Sequence, residues 1–218
     1  MRRINLLIIL LLMSCTTLGT PPSILDDSSC DAPCWNGITV GVTTGEEMLA
    51  ILRELPNVDQ NIATLSPWLI YDDGLNFYLY PNGFHKHNVV VESRFIENKV
   101  AEISFCGDPG VSFGDVVEKI GEPKNIIVLG SPSGGSFFTA INKDIGFQLM
   151  YDTANIPKNL KEEIAPEIPI KCLIYFAPEF YDETLEAGMI GLGRLNAEQT
   201  LKMMRPWIGY GDLDQYIP

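Results

Sequence analysis

Polar and apolar positions along this chain change period twice, each time in the same order: helical spacing first, strand alternation after it. From Thr44, the residues Met48, Leu49, Ile51, Leu52 and Leu55 fall on one helical face. Glu47 stands three positions after Thr44, as a capping box requires, and Pro56 stops the helix. Strand-like runs follow as PWLIYDDG, LNFYLYPNG, HNVVVESRFIEN and KVAEISFCG, separated by the turn signals DDG, PNG and EN. The order then recurs. Ser112 opens FGDVVEKIGEP, with Phe113, Val116, Val117 and Ile120 at helical spacing and Gly121 and Pro123 as stop signals. After it come KNIIVLG, GSFFTAINKD, GFQLMYDT and, beyond a polar insertion rich in Lys and Glu, PIKCLIYFAP. The pattern predicts an α+β fold of tandem helix-plus-antiparallel-sheet modules, each helix covering one face of its sheet. The repeat is one of architecture, since the two sequences barely match. Residues 181–218 add a helix, AEQTLKMM capped by Asn196, and an aromatic tail whose Trp207, Tyr210 and Tyr216 are expected to pack back on the body.

A different pattern opens the chain. Arg2 and Arg3 precede an apolar run from Leu6 to Met13, the charged head and greasy middle of an export signal. Crossing a bilayer as a helix takes about 20 apolar residues, so this run reads as a signal and not a permanent span. It ends in Leu12-Met13-Ser14-Cys15, which resembles the lipobox of bacterial lipoproteins, where the chain is cut before a cysteine that carries acyl chains of the palmitate kind. Several such chains anchor stably where one does not. The expected organisation is a signal peptide at 1–14, a lipidated N-terminus and tether at 15–33, a first module at 34–108, a second at 109–180, and the C-terminal helix and tail at 181–218. Thr, Ser, Pro and Asp dominate residues 16 to 32, the composition of a flexible spacer.

Charge narrows the partners. The chain has 15 basic and 28 acidic residues; without Arg2 and Arg3 the balance is 13 against 28, or −15. Such a surface repels nucleic acid and anionic headgroups, and the acidity serves solubility. Besides Cys15 there are four cysteines, Cys30, Cys34, Cys106 and Cys172, an even number that in an exported chain suggests two disulfides with three connectivities open. Strand parity argues against a Cys106–Cys172 bridge without excluding it: Cys106 alternates with Ser104 and Glu102, whereas Cys172 alternates with apolar Ile170, Ile174 and Phe176. Spacing of the CxxC type is absent, so no metal site is expected.

The words CDAPCWNGI, then GVTT, VSFGDVVEKIGEP and the terminal PWIGY resemble a group of uncharacterised exported lipoproteins of Chloroflexota-like bacteria. The Gly41-Val42-Thr43 entry to the first helix and the KIGEP exit of the second are similar to helix-then-sheet modules of the BamE and beta-lactamase-inhibitor-protein type. The second resemblance implies scaffolding or protein binding at the cell envelope and supplies no catalytic residue. This chain departs from that type in being duplicated, longer and more acidic.

The sequence carries none of the common catalytic signatures. GSPSGG puts proline where a nucleophile elbow needs serine, and no HExxH, SxxK, phosphate-binding loop or dinucleotide fingerprint occurs. His85 and His87 stand two apart, so on a strand they share a face, but Lys86 between them reads as a polar hairpin end. Asp72-Asp73-Gly74 reads as a turn and Asp212-Leu213-Asp214 as solvated, neither continuing as a calcium loop. The expectation is therefore a membrane-anchored extracytoplasmic binding or scaffold module for an envelope or secreted partner, with no enzymatic activity and no cofactor. The alternatives are an extracytoplasmic hydrolase using surface carboxylates, or a lipoprotein that binds a small ligand.

Overall fold

The computed structural model describes residues 24–25, 30–55, 75–79, 89–107, 109–130, 136–152, 163–186 and 196–217. The leader at 1–14, Cys15, the PWLIYDDG run, His85, His87 and the serine-rich turn at 131–135 lie outside these.

A small hairpin opens the body, β1 (Cys34–Trp35) against β2 (Ile38–Thr39). Its turn holds Asn36 and Gly37 at φ of 49° and 81°, the paired positive values that an Asn-Gly turn supplies at least cost. Helix α1 (Gly45–Glu54) follows, with Thr44 and Glu47 exchanging both capping-box hydrogen bonds; it buries Met48, Leu49 and Leu52. Strands β3 (Leu75–Leu79), β4 (Val89–Ile96) and β5 (Lys99–Cys106) form a meander in which Glu97 and Asn98 make the β4–β5 turn, both at positive φ. Helix α2 (Phe113–Ile120) begins at Ser112, whose hydroxyl and backbone exchange hydrogen bonds with Asp115. The second meander is β6 (Asn125–Gly130), β7 (Ser136–Asn142), β8 (Phe147–Asp152) and, past the short β9 (Glu163–Ile164), β10 (Cys172–Phe176). The C-terminal segment contains a 3-10 turn at Pro178–Phe180, α3 (Tyr181–Glu186), α4 (Ala197–Met203) capped by Asn196, β11 (Arg205–Pro206), β12 (Gly211–Asp212) and a last 3-10 turn at Leu213–Tyr216.

The fold is α+β, as the pattern predicts, and the two meanders join into one antiparallel sheet of order β11-β6-β7-β8-β10-β5-β4-β3. The seam between them is β10 against β5, the last strand of each. Backbone hydrogen bonds repeat across the two halves residue for residue. Thr44 bridges Lys99 while Ser112 bridges Pro169. Gly45 N–H donates to Asn98 O as Phe113 N–H does to Ile168 O, and Val100 N–H donates to Thr43 O as Ile170 N–H does to Val111 O. The spacing from Lys99 to Pro169 equals that from Ser104 to Ile174, and Ser104 faces Ile174 across the seam. The halves are thus related by a pseudo-twofold through that pair. The same operation carries the pair Cys106↔Cys172 onto Phe176↔Glu102.

Because that axis is perpendicular to the sheet, both helices cover the same face. There Val91, Ile103, Phe105, Phe113, Phe138, Phe147, Leu149 and Leu173 are fully buried in one continuous core with Met48 and Leu52. Trp35 meets Phe105 edge-on at 5.1 Å. Ile24, Leu25 and Ala32, within the stretch read as a spacer, pack against this core. The second face is not open over the second half: Ile127, Ile141 and Phe176 form a separate buried cluster with Tyr181 and Leu185 of α3, against which Met203 and Met204 pack.

That second layer corrects the parity argument about the cysteines. Cys30 lies at disulfide distance from Cys34, and Cys106 from Cys172 with Cα atoms 4.2 Å apart, the latter two being direct partners in register. Glu102, Ser104 and Cys106 share their face with Cys172, Ile174 and Phe176. One strand brings polar side chains to a face its neighbour fills with apolar ones, and Glu102 and Ser104 are buried there just as Ile174 and Phe176 are. Polar–apolar alternation marks the buried side when one face is wet, and loses that meaning when both are covered.

Candidate functional site

Two places gather chemistry that the packing of the core does not use. The first is an open groove of about 410 Å³ between the start of α2 and the chain before β10. Its geometry follows from Gly114: Gly114 N–H donates to Pro166 O at 2.7 Å, and a Cβ on that glycine would stand 2.8 Å from the Pro166 side chain. Only a residue without a side chain lets the helix and this chain lie so close. Among the described residues the lining carries Asp115, Glu118 and Glu167 and no cationic side chain. Asp115 already accepts hydrogen bonds from the Ser112 amide and hydroxyl, at 2.7 and 2.8 Å. Glu118 and Glu167 are exposed.

Tyr210 closes the groove on its third side. Its ring packs edge-on against Phe113 and Trp207, each at 5.6 Å, while Trp207 stacks parallel on Tyr216 at 5.8 Å. The Tyr216 hydroxyl donates to Gly209 O and accepts from Ile208 N–H, so the tail is pinned at both ends of this stack. The expected packing of the aromatic tail onto the body is what Trp207 and Tyr216 do, whereas Tyr210 keeps 41% of its surface exposed. Partial burial, with the carboxylates of Glu122 and Glu167 nearby, pushes the Tyr210 hydroxyl above its usual range. A rigid aromatic ring beside carboxylates is the chemistry that holds an ammonium or guanidinium group.

The second place is Glu102, on β5 beside the seam. It is 6% exposed, faces Arg94 on β4 and Phe176 on β10, and its Oε2 has no hydrogen-bond partner among the described residues. Burial pushes its carboxyl up to about 7, against the pull of Arg94 and with the help of Glu92.

Of the residues singled out in the sequence, Cys30, Cys34, Cys106 and Cys172 are brought together in pairs, and Cys15 lies outside the described residues. Where the chain enters the body, Cys30 and Cys34 border a cavity of about 140 Å³ with Ile24, Leu25, Lys119 and Tyr175. Asp212 accepts from the Asp214 amide to start the terminal 3-10 turn, a capping role. Neither Glu102 nor the groove acids were flagged by the sequence. The local signal for Glu102 was its place inside AEISF, a carboxylate at the centre of a strand with an exposed charge only at its first residue, Lys99. Among the described residues no group of three or more His, Cys, Asp or Glu side chains could hold a metal ion, and no helix is long and apolar enough to cross a membrane. No family model, curated protein or solved structure matches the chain.

Proposed function

We propose that this chain is a lipid-anchored binding module on the extracytoplasmic side of a cell membrane, acylated at Cys15, which engages an envelope or secreted protein and performs no catalysis. The observation that carries the reading is the use of the cysteines. Four of the five are consumed in two pairs, an oxidised arrangement suited to an exported protein, and the one left over is the cysteine of the lipobox. The groove beside α2 is the binding surface, and its acids and exposed tyrosine favour a lysine- or arginine-bearing segment of the partner.

Intact mass measurement of the product from its native host tests the anchor: an acylated N-terminal Cys15 is expected, and an unmodified thiol or a retained Met1 overturns it. The binding surface is tested with an oligolysine peptide. Glu118→Lys with Glu167→Lys is expected to weaken binding about tenfold. The same charge change placed on α1 by Glu46→Lys with Glu54→Lys is expected to leave it nearly unchanged. Equal loss in both variants reduces the groove to general acidity and overturns its role.

A further inference from the structure

Glu102 is not part of the groove and nothing in the proposed binding role uses it. Its position is nonetheless specific. It pairs in register with Phe176, which puts the two side chains next to each other on the second face of the sheet, with Cβ atoms about 5 Å apart by the geometry of antiparallel pairs. Phe176 is fully buried, and its ring meets that of Tyr181 at 5.7 Å. Tyr181 and Leu185 hold α3 onto Ile127 and Ile141. The carboxyl therefore borders the aromatic contact on which the C-terminal cover sits.

We propose that Glu102 is a proton-operated latch for that cover: uncharged, it lets α3 lie closed over Phe176, and ionised, it favours the lifting of α3. The physical reason is the unpartnered Oε2. A neutral carboxyl can rest beside Phe176, whereas a carboxylate in the same place is a buried charge with an unsatisfied oxygen, which water must reach. The sheet cannot make room. β5 is hydrogen-bonded on both sides, to β4 and β10, and the Cys106–Cys172 pair holds the seam. α3 can, because it is only six residues long and docks through a small cluster, while Phe180 just before it stays packed on the main core.

The charged groups acting on Glu102 among the described residues are Arg94 and Glu92, both on β4. From β10 it faces Phe176 and Ile174, which carry no charge. On the cover, Tyr181 is raised above its usual range by burial first and Asp182 second, and Lys143 lies 5.9 Å from its ring centre. The acids of α3, Asp182, Glu183 and Glu186, are exposed, as is Glu179 in the turn before it. With the carboxyl shifted from its ordinary 4.5 to about 7 in the closed form, closure is most favoured below pH 4.5, weakens as pH rises, and levels off above about 7.

The test is carried out on the purified full chain in detergent. The carbon-13 carboxyl resonance of Glu102 is followed against pH, together with amide-exchange protection of Leu185 in α3 corrected for intrinsic exchange. A midpoint near 7 is expected, with protection falling about tenfold between pH 6 and pH 8. Glu102→Gln is expected to abolish the slope, and Glu92→Gln to keep it with the midpoint moved to lower pH. A Glu102 midpoint below 5.5 in the wild-type chain overturns the proposal without recourse to any variant. So does an unchanged slope in Glu102→Gln.

Discussion

The two halves of the sheet share a backbone and differ in what lies on their second face. α1 and α2 start with the same reciprocal caps, and the same hydrogen bonds tie the first to the start of β5 and the second to the chain leading into β10. On the helix-covered face both halves supply aliphatic and aromatic side chains to one core. The second face diverges. Over β6, β7 and β10 it carries Ile127, Ile141 and Phe176 under α3, beside the buried Thr139, whereas β4 and β5 bring Glu92, Arg94, Glu102 and Ser104 to it. The contrast is sharpest at the pseudo-twofold, which relates the covalently closed pair Cys106 and Cys172 to the unlinked pair Phe176 and Glu102. A repeat can therefore keep its hydrogen-bond frame while each copy specialises the side that the frame does not constrain.

Removing the hub of one half is the strongest way to break this comparison. Phe113 is fully buried and packs against Phe138, Trp207 and Tyr210, so Phe113→Ala should cost about 3 to 5 kcal/mol in chemical denaturation. Leu52→Ala, at a fully buried position of α1 in the first half, should fall toward the lower end of about 2 to 5 kcal/mol. If the halves unfold as one unit, both variants will give a single transition by every probe.

The seam comes next. Cys106 and Cys172 close a loop across 66 positions, and Cys30 and Cys34 one across only 4. Loop-closure entropy assigns about 4 kcal/mol to the first and about 2 to the second, so replacing each pair by serines should lower the urea midpoint in that order. Equal losses would place the N-terminal staple on a par with the seam.

At the twofold-related position the expected effect is pH-dependent. Since the carboxyl is raised from 4.5 to about 7 by folding, the folded chain holds a proton that the unfolded chain releases, and stability falls across that window. Glu102→Gln should flatten the fall and, at pH 8, raise stability by up to about 3 kcal/mol over the wild type. Thermal melts at pH 5 and pH 8 will check it.

The smallest effect sharpens the resemblance. Thr44→Ala and Ser112→Ala each remove a capping box and should each cost about 1 kcal/mol. Costs that differ severalfold would mean that equal geometry conceals unequal packing behind the two caps.

What the sequence made legible was local. Thr44, Ser112 and Asn196 cap the helices they were expected to cap, because the signal spans only three positions. The strands at LNFYL, VVVESRFI, KVAEISFC, NIIVLG, SFFTAIN, FQLMYD and CLIYF fall inside the predicted runs. Illegible were features set by distant contacts. That β10 would lie against β5 depended on joining two meanders, and with it the pairing of Cys106 and Cys172. The burial of Glu102 depends on neighbours that come from β4 and β10. The groove needed Glu167 and Tyr210, both far in sequence from Asp115, to converge on the start of α2.

The far border of the sheet carries a last consequence. β11 is two residues long and ends in Pro206, and past it α4 and the terminal 3-10 turn run alongside β6. Proline offers no amide to an incoming chain, and two residues are too few to template one. Stacking of successive molecules into a fibre is thus discouraged from that margin.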